Sequence, residues 1–196
     1  MFEQIDKSLI LNESFTLRER ELFHSMLKYK KVRKKTILLQ QGEVCNFEAF
    51  IIKGCLRSYF VNQSGGETIL HFALENLWVT DLESFTKQIP SNMFIETLED
   101  SEMLTLDYPS KVELCRRVPK FESLFHLLTQ CSLFTLQGRF HNLVSKTAEQ
   151  RYIDFIEQYP EVAQRVPQHQ IARYLCVSPE FLSKIRNTIF KRKELP

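Results

Sequence analysis

The residues from Gln168 to Asn187 carry polar side chains at spacings that suit the reading of DNA. Glu180, Ser183, Lys184 and Asn187 recur on one face of a helical period. Glutamate accepts hydrogen bonds from cytosine, lysine binds guanine or phosphate, and serine and asparagine adapt to several partners. A helical hairpin with a merely polar surface is the alternative interpretation. The segment therefore predicts a contact with DNA, and its candidate residues are Gln168, His169, Arg173, Ser178, Pro179, Glu180, Ser183, Lys184, Arg186 and Asn187.

Two short helices joined by a tight turn must position these side chains, because the apolar period of the segment stops and then resumes. Ser178 can cap the second helix, and Pro179 follows it where a missing N–H costs nothing. Cys176 stands where such turns usually have glycine, so a left-handed backbone there would be strained. The apolar side chains expected between the two helices are Ile171, Leu175, Val177, Leu182 and Ile185, with the small Ala172 at their close approach.

Positive charge collects at the same end of the chain. The formal net charge is only +2, but residues 137–196 carry 10 Lys and Arg against 6 Asp and Glu, whereas residues 1–109 carry 12 against 16. A basic patch on a segment with this pattern is typical of phosphate contact. The other basic run, Lys28 to Lys35, is interleaved with Tyr29 and Val32 and predicts a solvated strand edge rather than a binding patch.

Cysteine and histidine usage gives no sign of a metal centre, a cofactor or a catalytic site. The five cysteines are spread along the chain without a CxxC pair, and the five histidines are equally scattered. Metal catalysis would need clustered ligands, and the β region offers only His71, for which we expect a structural role. No apolar run approaches the roughly 20 residues that span a bilayer, and no signal peptide is recognisable. We therefore expect a cytoplasmic protein that is not an enzyme and has no membrane partner.

The chain before the DNA-contact segment alternates between helical and β patterns. Thr16 to Leu27 begins with a threonine cap and has Glu19 three residues later, which predicts a short helix. From Thr36 to Asp107, short apolar runs separated by turn signals predict an antiparallel sandwich or barrel. Within it, Cys55–Val61 and Glu67–Leu74 are expected to pair as a hairpin.

Helical periodicity returns after Pro109. Val112 to Val118 predicts a short helix, and Pro119 to about Ser145 predicts a long one with an apolar stripe. A helix of roughly 40 Å needs a surface to lie against, which is either the β domain or its copy in a second subunit. The leucine-rich and sparsely charged stripe favours a homodimer. Thr147 to Tyr159 predicts a further helix that packs on the two helices of the DNA-contact segment.

Two segments stand in a recognisable order. They are LLQQGEVCNFEAFIIKGCLRSYF (Leu38–Phe60), with its GE and KG turns, and VPQHQIARYLCVSPEFLSKI (Val166–Ile185). With the long helix between them, they resemble the Crp/Fnr family of bacterial transcription regulators. The resemblance implies an α+β fold, with an N-terminal antiparallel β-roll (a jelly-roll like that of cyclic-nucleotide-binding domains), flanking helices, a long dimerisation helix and a C-terminal, winged helix-turn-helix domain. It places the sensor domain at residues 1–118, the dimerisation helix at 119–145 and the DNA-binding domain at 146–196.

The resemblance also implies a ligand pocket in the β-roll, between Trp78 and Phe94. Family members that bind cyclic nucleotides combine a glycine–glutamate pair with a later arginine–serine pair, and the phosphate-binding arginine is missing here. A buried cyclic phosphate needs a cation or several backbone donors, and Lys87 is the only cation of the segment. We therefore expect no cyclic AMP binding in the usual manner. The residues implied for an effector pocket are Thr80, Asp81, Leu82, Ser91 and Asn92.

Departures from the family pattern also bear on DNA contact. Pro179 replaces a base-reading arginine of many members, whereas Glu180 and Lys184 match its acidic and basic positions, which implies a different operator. The short stretch after Ile185 leads us to expect a shortened or absent β-wing. The expected function is a homodimeric regulator that binds double-stranded DNA, with an unknown small-molecule effector and RNA polymerase as further partners. The alternative is a ligand-binding regulatory module that acts through protein contacts without DNA.

Overall fold

The computed structural model describes residues 2–10 and 15–194, and it combines antiparallel strands with helices. The strands are β1 (Lys28–Val32), β2 (Ile37–Leu39), β3 (Glu48–Lys53), β4 (Leu56–Val61), β5 (Glu67–Ala73), β6 (Trp78–Val79), β7 (Phe94–Thr97) and β8 (Ser101–Leu106). They form two four-stranded sheets with the strand orders β1-β8-β3-β6 and β2-β7-β4-β5. The expected exposed edge at the basic run is confirmed, because β1 is an edge strand whose register places Lys28 opposite Thr105.

Helices precede the strands, interrupt them once and form the rest of the described chain. Within residues 2–10 and 15–194, none of them combines the length and the apolar composition required to cross a bilayer. The helices are α1 (Glu3–Ile10), α2 (Leu17–Met26), α3 (Leu82–Lys87), α4 (Tyr108–Arg117), α5 (Lys120–Ser145), α6 (Ala148–Gln158), α7 (Pro160–Arg165), α8 (Gln168–Tyr174) and α9 (Pro179–Glu194).

The chain divides into two compact units, and the first comprises Met1–Ser58 and Phe72–Ser132. Its aromatic core lies where α2, α4 and the start of α5 meet the sheet, and Phe23, Phe50 and Phe121 are fully buried there. The capping box expected at the start of α2 is confirmed, since the Thr16 hydroxyl accepts from the backbone of Glu19 and the Glu19 carboxylate accepts from the backbone of Thr16. A second apolar cluster fills the space between the strands of this unit: Leu39, Cys45, Phe47, Ala49, Ile51, Leu56, Ala73, Val79, Phe85, Ile95 and Met103.

The second unit comprises Tyr59–His71 and Leu133–Pro196. It contains most of the β4–β5 hairpin, the later part of α5 and the four helices that follow. The helix expected over Thr147–Tyr159 is present as α6, and Thr147 forms a capping box with Gln150 at its start. Tyr152, Phe155, Val162 and Val166 are buried beside the apolar residues of α8 and α9, so this unit has a hydrophobic core of its own.

Three short helices escaped the sequence analysis, and one helix begins earlier than expected. The helix predicted at Val112–Val118 starts at Tyr108, because the Asp107 carboxylate accepts from the Ser110 N–H at 3.0 Å and Pro109 occupies the first turn. The sequence did not predict α1, α3 or α7. The start of α3 is capped by Asp81, which the sequence analysis had assigned to an effector pocket.

The long helix α5 shows one of the two packing arrangements that the sequence left open, and pairing with a second copy stays a prediction. Its first turns pack in the core of the first unit, where Phe121, Leu124 and Phe125 are buried. Its later turns carry exposed apolar side chains, and patches of this kind mark interaction surfaces. The exposed apolar residues of the later turns, here called the α5 patch, are Leu133, Phe134, Leu136, Phe140, Leu143 and Val144.

Candidate nucleic-acid interface

The helix-turn-helix predicted from the sequence is present as α8 and α9. The two helices pack through Ile171, Leu175, Leu182 and Ile185, all of them buried, and the small Ala172 is fully buried. Four of the five residues expected between the helices are therefore buried, and Val177 in the turn is half-buried. This wedge orients α9 so that its remaining faces stay accessible to solvent.

The turn between the helices has the hydrogen bonds of a Schellman motif. The Val177 N–H donates to the Ala172 carbonyl at 3.0 Å, and the Cys176 N–H donates to the Arg173 carbonyl at 3.4 Å. Cys176 holds the left-handed position of the motif with a φ of 56°, where glycine is the usual residue. The backbone at Cys176 is thus left-handed, which is the case in which the sequence predicts strain. The strain arises because Cys176, unlike glycine, has a Cβ.

The start of α9 is fixed by its own cap. The Ser178 hydroxyl accepts from the Phe181 N–H at 3.1 Å, and Pro179 is the first helical residue. Hydrogen bonds from its own backbone and from Ser178 lower the pKa of the exposed Glu180 carboxyl. Glu180 is therefore ionised near neutral pH and can act only as a hydrogen-bond acceptor, which matches the exocyclic amine of cytosine.

The candidate residues on α9 lie on an accessible surface. Glu180, Ser183, Lys184 and Asn187 are all exposed, as are Ser178, Pro179 and Arg186. Beyond them the helix continues to Glu194, and no strand follows β8 in the described part of the chain, so no β-wing is present there. Base contact through α9 stays a prediction.

The candidate residues on α8 differ in their exposure and in their contacts. His169 is exposed and Gln168 is half-buried at the start of the helix. Arg173 is ion-paired with Glu67 at the start of β5, with an Nη1–Oε2 distance of 2.5 Å. A phosphate group would compete with this carboxylate for the guanidinium.

The sequence analysis missed two arginines that hold the end of α8. Arg139 of α5 donates to the Tyr174 carbonyl at 2.7 Å, and Arg151 of α6 donates to the Leu175 carbonyl at 3.2 Å. The last carbonyls of a helix lack partners within the helix, and cations are favourable beside them. Neither arginine belongs to a local motif, so only the tertiary structure could identify them.

The expected effector residues of the first unit bond mainly to the protein itself. Asp81 and Ser91 are both buried, and the Ser91 hydroxyl donates to the Asp81 carboxylate at 2.6 Å. Asp81 also accepts from the Ser84 N–H, and the Thr80 hydroxyl donates to the Phe47 carbonyl at 2.9 Å. A buried carboxylate at this position would repel an anionic ligand group.

Lys87, the cation in the segment between Trp78 and Phe94, pairs with a carboxylate other than Asp81. Lys87 pairs with Glu83 at 2.7 Å, one turn earlier on α3, and both side chains are exposed. Leu82 and Asn92 are exposed as well. The structure therefore brings Asp81 and Ser91 together as an internal polar pair, whose further hydrogen bonds run to Ser84 and Met93. Among the described side chains, no three His, Cys, Asp or Glu residues are grouped so that they could hold a metal ion.

The chain is similar to known proteins both in sequence and in fold. Residues 29–118 match the cyclic nucleotide-binding domain family. Among solved structures, FixK2 from Bradyrhizobium japonicum superposes with a TM-score of 0.76 at 16% identity, over 85% of this chain and 86% of that chain. A protein from Eubacterium rectale, described as a transcriptional regulator of the Crp/Fnr family, reaches a TM-score of 0.71 at 14% identity, over 91% and 85% of the two chains.

Residues 29–118 are thus similar to a cyclic nucleotide-binding domain, and the chain shares the fold of the Crp/Fnr neighbour, in agreement with the resemblance and the α+β fold inferred from the sequence. A curated relative, the anaerobic regulatory protein of Haemophilus influenzae, is 27% identical over 147 residues. That match covers 72% of this chain and 56% of the relative. The Haemophilus influenzae relative is named a regulatory protein, and the Eubacterium rectale protein is described as a transcriptional regulator.

Proposed function

We propose that the protein is a homodimeric transcription regulator that binds a two-fold DNA operator through α9. The observation that carries this proposal is the exposed polar face of α9 beside a buried helix-turn-helix wedge. Recognition helices of this kind present their first turns to base edges in the major groove. The basic residues of the segment supply the sequence-independent attraction to phosphates.

Dimerisation is the second part of the proposal, and the α5 patch supports it. Phe134, Phe140 and Val144 expose 64%, 66% and 72% of their surface, which is unusual for large apolar side chains of one helix. Gly138 lies among them, and a Cβ added there would have no neighbour within 4 Å. Pairing of α5 with its copy about a two-fold axis would cover this surface and place two reading helices on one duplex.

We assign residues 1–118 to a sensor domain, 119–145 to the dimerisation helix and 146–196 to the DNA-binding domain. The sensor is proposed to respond to a small molecule other than cyclic AMP, because a buried pair of the Asp81 carboxyl and the Ser91 hydroxyl lies in the segment expected to hold the phosphate. RNA polymerase is the proposed partner at the promoter. Binding to chromosomal DNA would place the protein in the cytoplasm.

Selection of bound duplexes from a random pool tests the proposal. The full chain should enrich an inverted repeat whose half-site centres lie about 10–10.5 base pairs apart, one turn of DNA. Lys34→Glu serves as a control on the other basic run, where the exposed β1 edge is not proposed to contact DNA, and it should enrich the same sequence. Uniform binding of all duplexes without an enriched sequence would exclude an operator-reading role.

A further inference from the structure

Arg139 connects three elements of the second unit through a single side chain. Its guanidinium donates to the Ile69 carbonyl at 2.6 Å, to the Leu70 carbonyl and to the Tyr174 carbonyl at 2.7 Å. The guanidinium carbon also lies 4.1 Å from the centre of the Tyr174 ring. Arg139 itself belongs to α5, so the contacts tie α5 at once to strand β5 and to helix α8.

The chemistry of the three acceptors explains why an arginine is suited to this position. Strand β5 is the last strand in its sheet order, so its outer carbonyls lack strand partners. Tyr174 ends α8, and its carbonyl belongs to the last turn, where helical hydrogen bonds run out. A planar guanidinium offers five N–H donors in a rigid fork, whereas a lysine ammonium is a point charge on a flexible stem.

Two further contacts reinforce the same connection. Arg173 of α8 pairs with Glu67 of β5, and both side chains are only partly exposed, at 37% and 23%. Arg151 of α6 donates to the Leu175 carbonyl and also to the Lys146 carbonyl, at 3.0 Å, just beyond the end of α5. The first helix of the helix-turn-helix is therefore held from α5, from α6 and from the β4–β5 hairpin.

We infer that Arg139 is a positioning residue that sets the half-site spacing which the dimer accepts. The inference rests on the proposed function. Where α5 lies at the two-fold axis, the distance from the axis to each α9 follows from the angle between α5 and α8. Arg139 fixes that angle through the Tyr174 carbonyl and ring, and it links the angle to β5.

A rigid pair of reading heads fits one operator spacing, because one added base pair turns the second half-site by roughly 35° about the DNA axis. Two reading heads that are loosely held can bind half-sites at either spacing, although they lose conformational entropy when they bind. Arg139 therefore acts on the choice among operators of different spacing, and it does not contribute to the reading of bases within one half-site.

The experiment compares wild type with Arg139→Ala, Arg139→Lys and the control Gln137→Ala, an exposed position on the same helix. Each protein is put through the same selection, and its affinity for a duplex with one half-site is measured. Wild type and Gln137→Ala should enrich one spacing and lose about tenfold in affinity on insertion of one base pair. Arg139→Ala should enrich the same half-site sequence at several spacings, with a loss below about threefold. Arg139→Lys should enrich more spacings than wild type and fewer than Arg139→Ala.

Different results separate this inference from the proposed function. Enrichment of one spacing by Arg139→Ala, with half-site affinity unchanged, would contradict the positioning role and leave DNA reading intact. Absence of any enriched half-site with wild type would contradict the proposed function itself. If thermal unfolding shows that Arg139→Ala does not fold, Arg139→Lys replaces it, because lysine keeps the charge and loses the planar fork of donors. A single spacing in Arg139→Lys with the wild-type preference would then overturn the inference.

Discussion

The Ser91 hydroxyl donates a 2.6 Å hydrogen bond to the Asp81 carboxylate, and both side chains are buried. This pair occupies the segment in which family members that bind cyclic nucleotides hold the ligand phosphate. Burial of an anionic phosphate beside an acidic side chain, without a compensating cation, carries an unfavourable electrostatic cost. Asp81 and Ser91 thus stabilise the start of α3 and the loop after it, and they do not form an anion site.

Cyclic AMP should therefore fail to bind at micromolar concentration. Titration calorimetry on the full chain checks this, with cyclic GMP and 5′-AMP as parallel ligands. Lys87 is the one cation of the segment, and it pairs with Glu83 at the surface, so Lys87→Ala should leave the thermogram unchanged. Micromolar binding of cyclic AMP that is lost in Lys87→Ala would refute the assignment of this site.

Replacement of Cys176 by glycine should stabilise the helix-turn-helix. Cys176 has a φ of 56°, and a left-handed conformation costs a non-glycine residue about 1–2 kcal/mol. Part of the gain is offset because glycine loses more entropy on folding, so we expect about 0.5–1 kcal/mol in urea unfolding. Cys176→Ala keeps a Cβ and should show no gain. Equal or lower stability of Cys176→Gly would show that the turn is not strained.

Acid should destabilise the second unit through His71. Burial, together with the charge of Arg139, lowers the pKa of His71 to about 4 in the folded state. The unfolded chain takes up this proton near pH 6.5, so stability is lost as the pH falls from 6.5 towards 4. The loss at pH 4.5 should be on the order of 1–3 kcal/mol, measured by urea unfolding. His71→Gln should flatten this part of the profile, and an unchanged slope would contradict the role of His71.

A charged residue in the α5 patch should separate the dimer. Phe134→Glu places a carboxylate at a position that is 64% exposed in a single chain and covered in the proposed dimer. Sedimentation should then give the mass of one chain, against two for wild type. Leu17→Glu is the matched control, because Leu17 is an equally exposed apolar residue on α2, at 71%. Dimers that persist in Phe134→Glu would place the interface elsewhere.

Local signals in the sequence predicted those features that depend on local chemistry. Thr16 precedes a helix with Glu19 at the third helical position and forms the expected capping box, and Thr147 forms a box of the same kind with Gln150. The left-handed Cys176 was considered because a tight turn between two amphipathic helices normally has glycine there. Caps and turns of this kind involve residues within a few positions of one another, which is why one sequence suffices to find them.

The features that escaped prediction are short helices or long-range contacts. Asp81 was assigned to an effector site, although the same residue is a good N-cap, and the six-residue helix α3 behind it is too short for a periodic pattern. Arg139 contacts carbonyls about 70 and 35 residues away in the chain, and no spacing in the sequence indicates such partners. Burial of only the first turns of α5 likewise depends on where the sheet ends.

Reading of bases by α9 is the central claim, and a charge reversal at Lys184 tests it most directly. Lys184 and Lys191 are both exposed and lie two helical turns apart on α9, so they form a matched pair. Selection from a random duplex pool should give Lys184→Glu a changed base preference within each half-site. Lys191→Glu should keep the wild-type preference and bind all sequences more weakly, as expected for loss of a phosphate contact. Selection of the wild-type operator by Lys184→Glu would contradict the assignment of α9 as the reading helix.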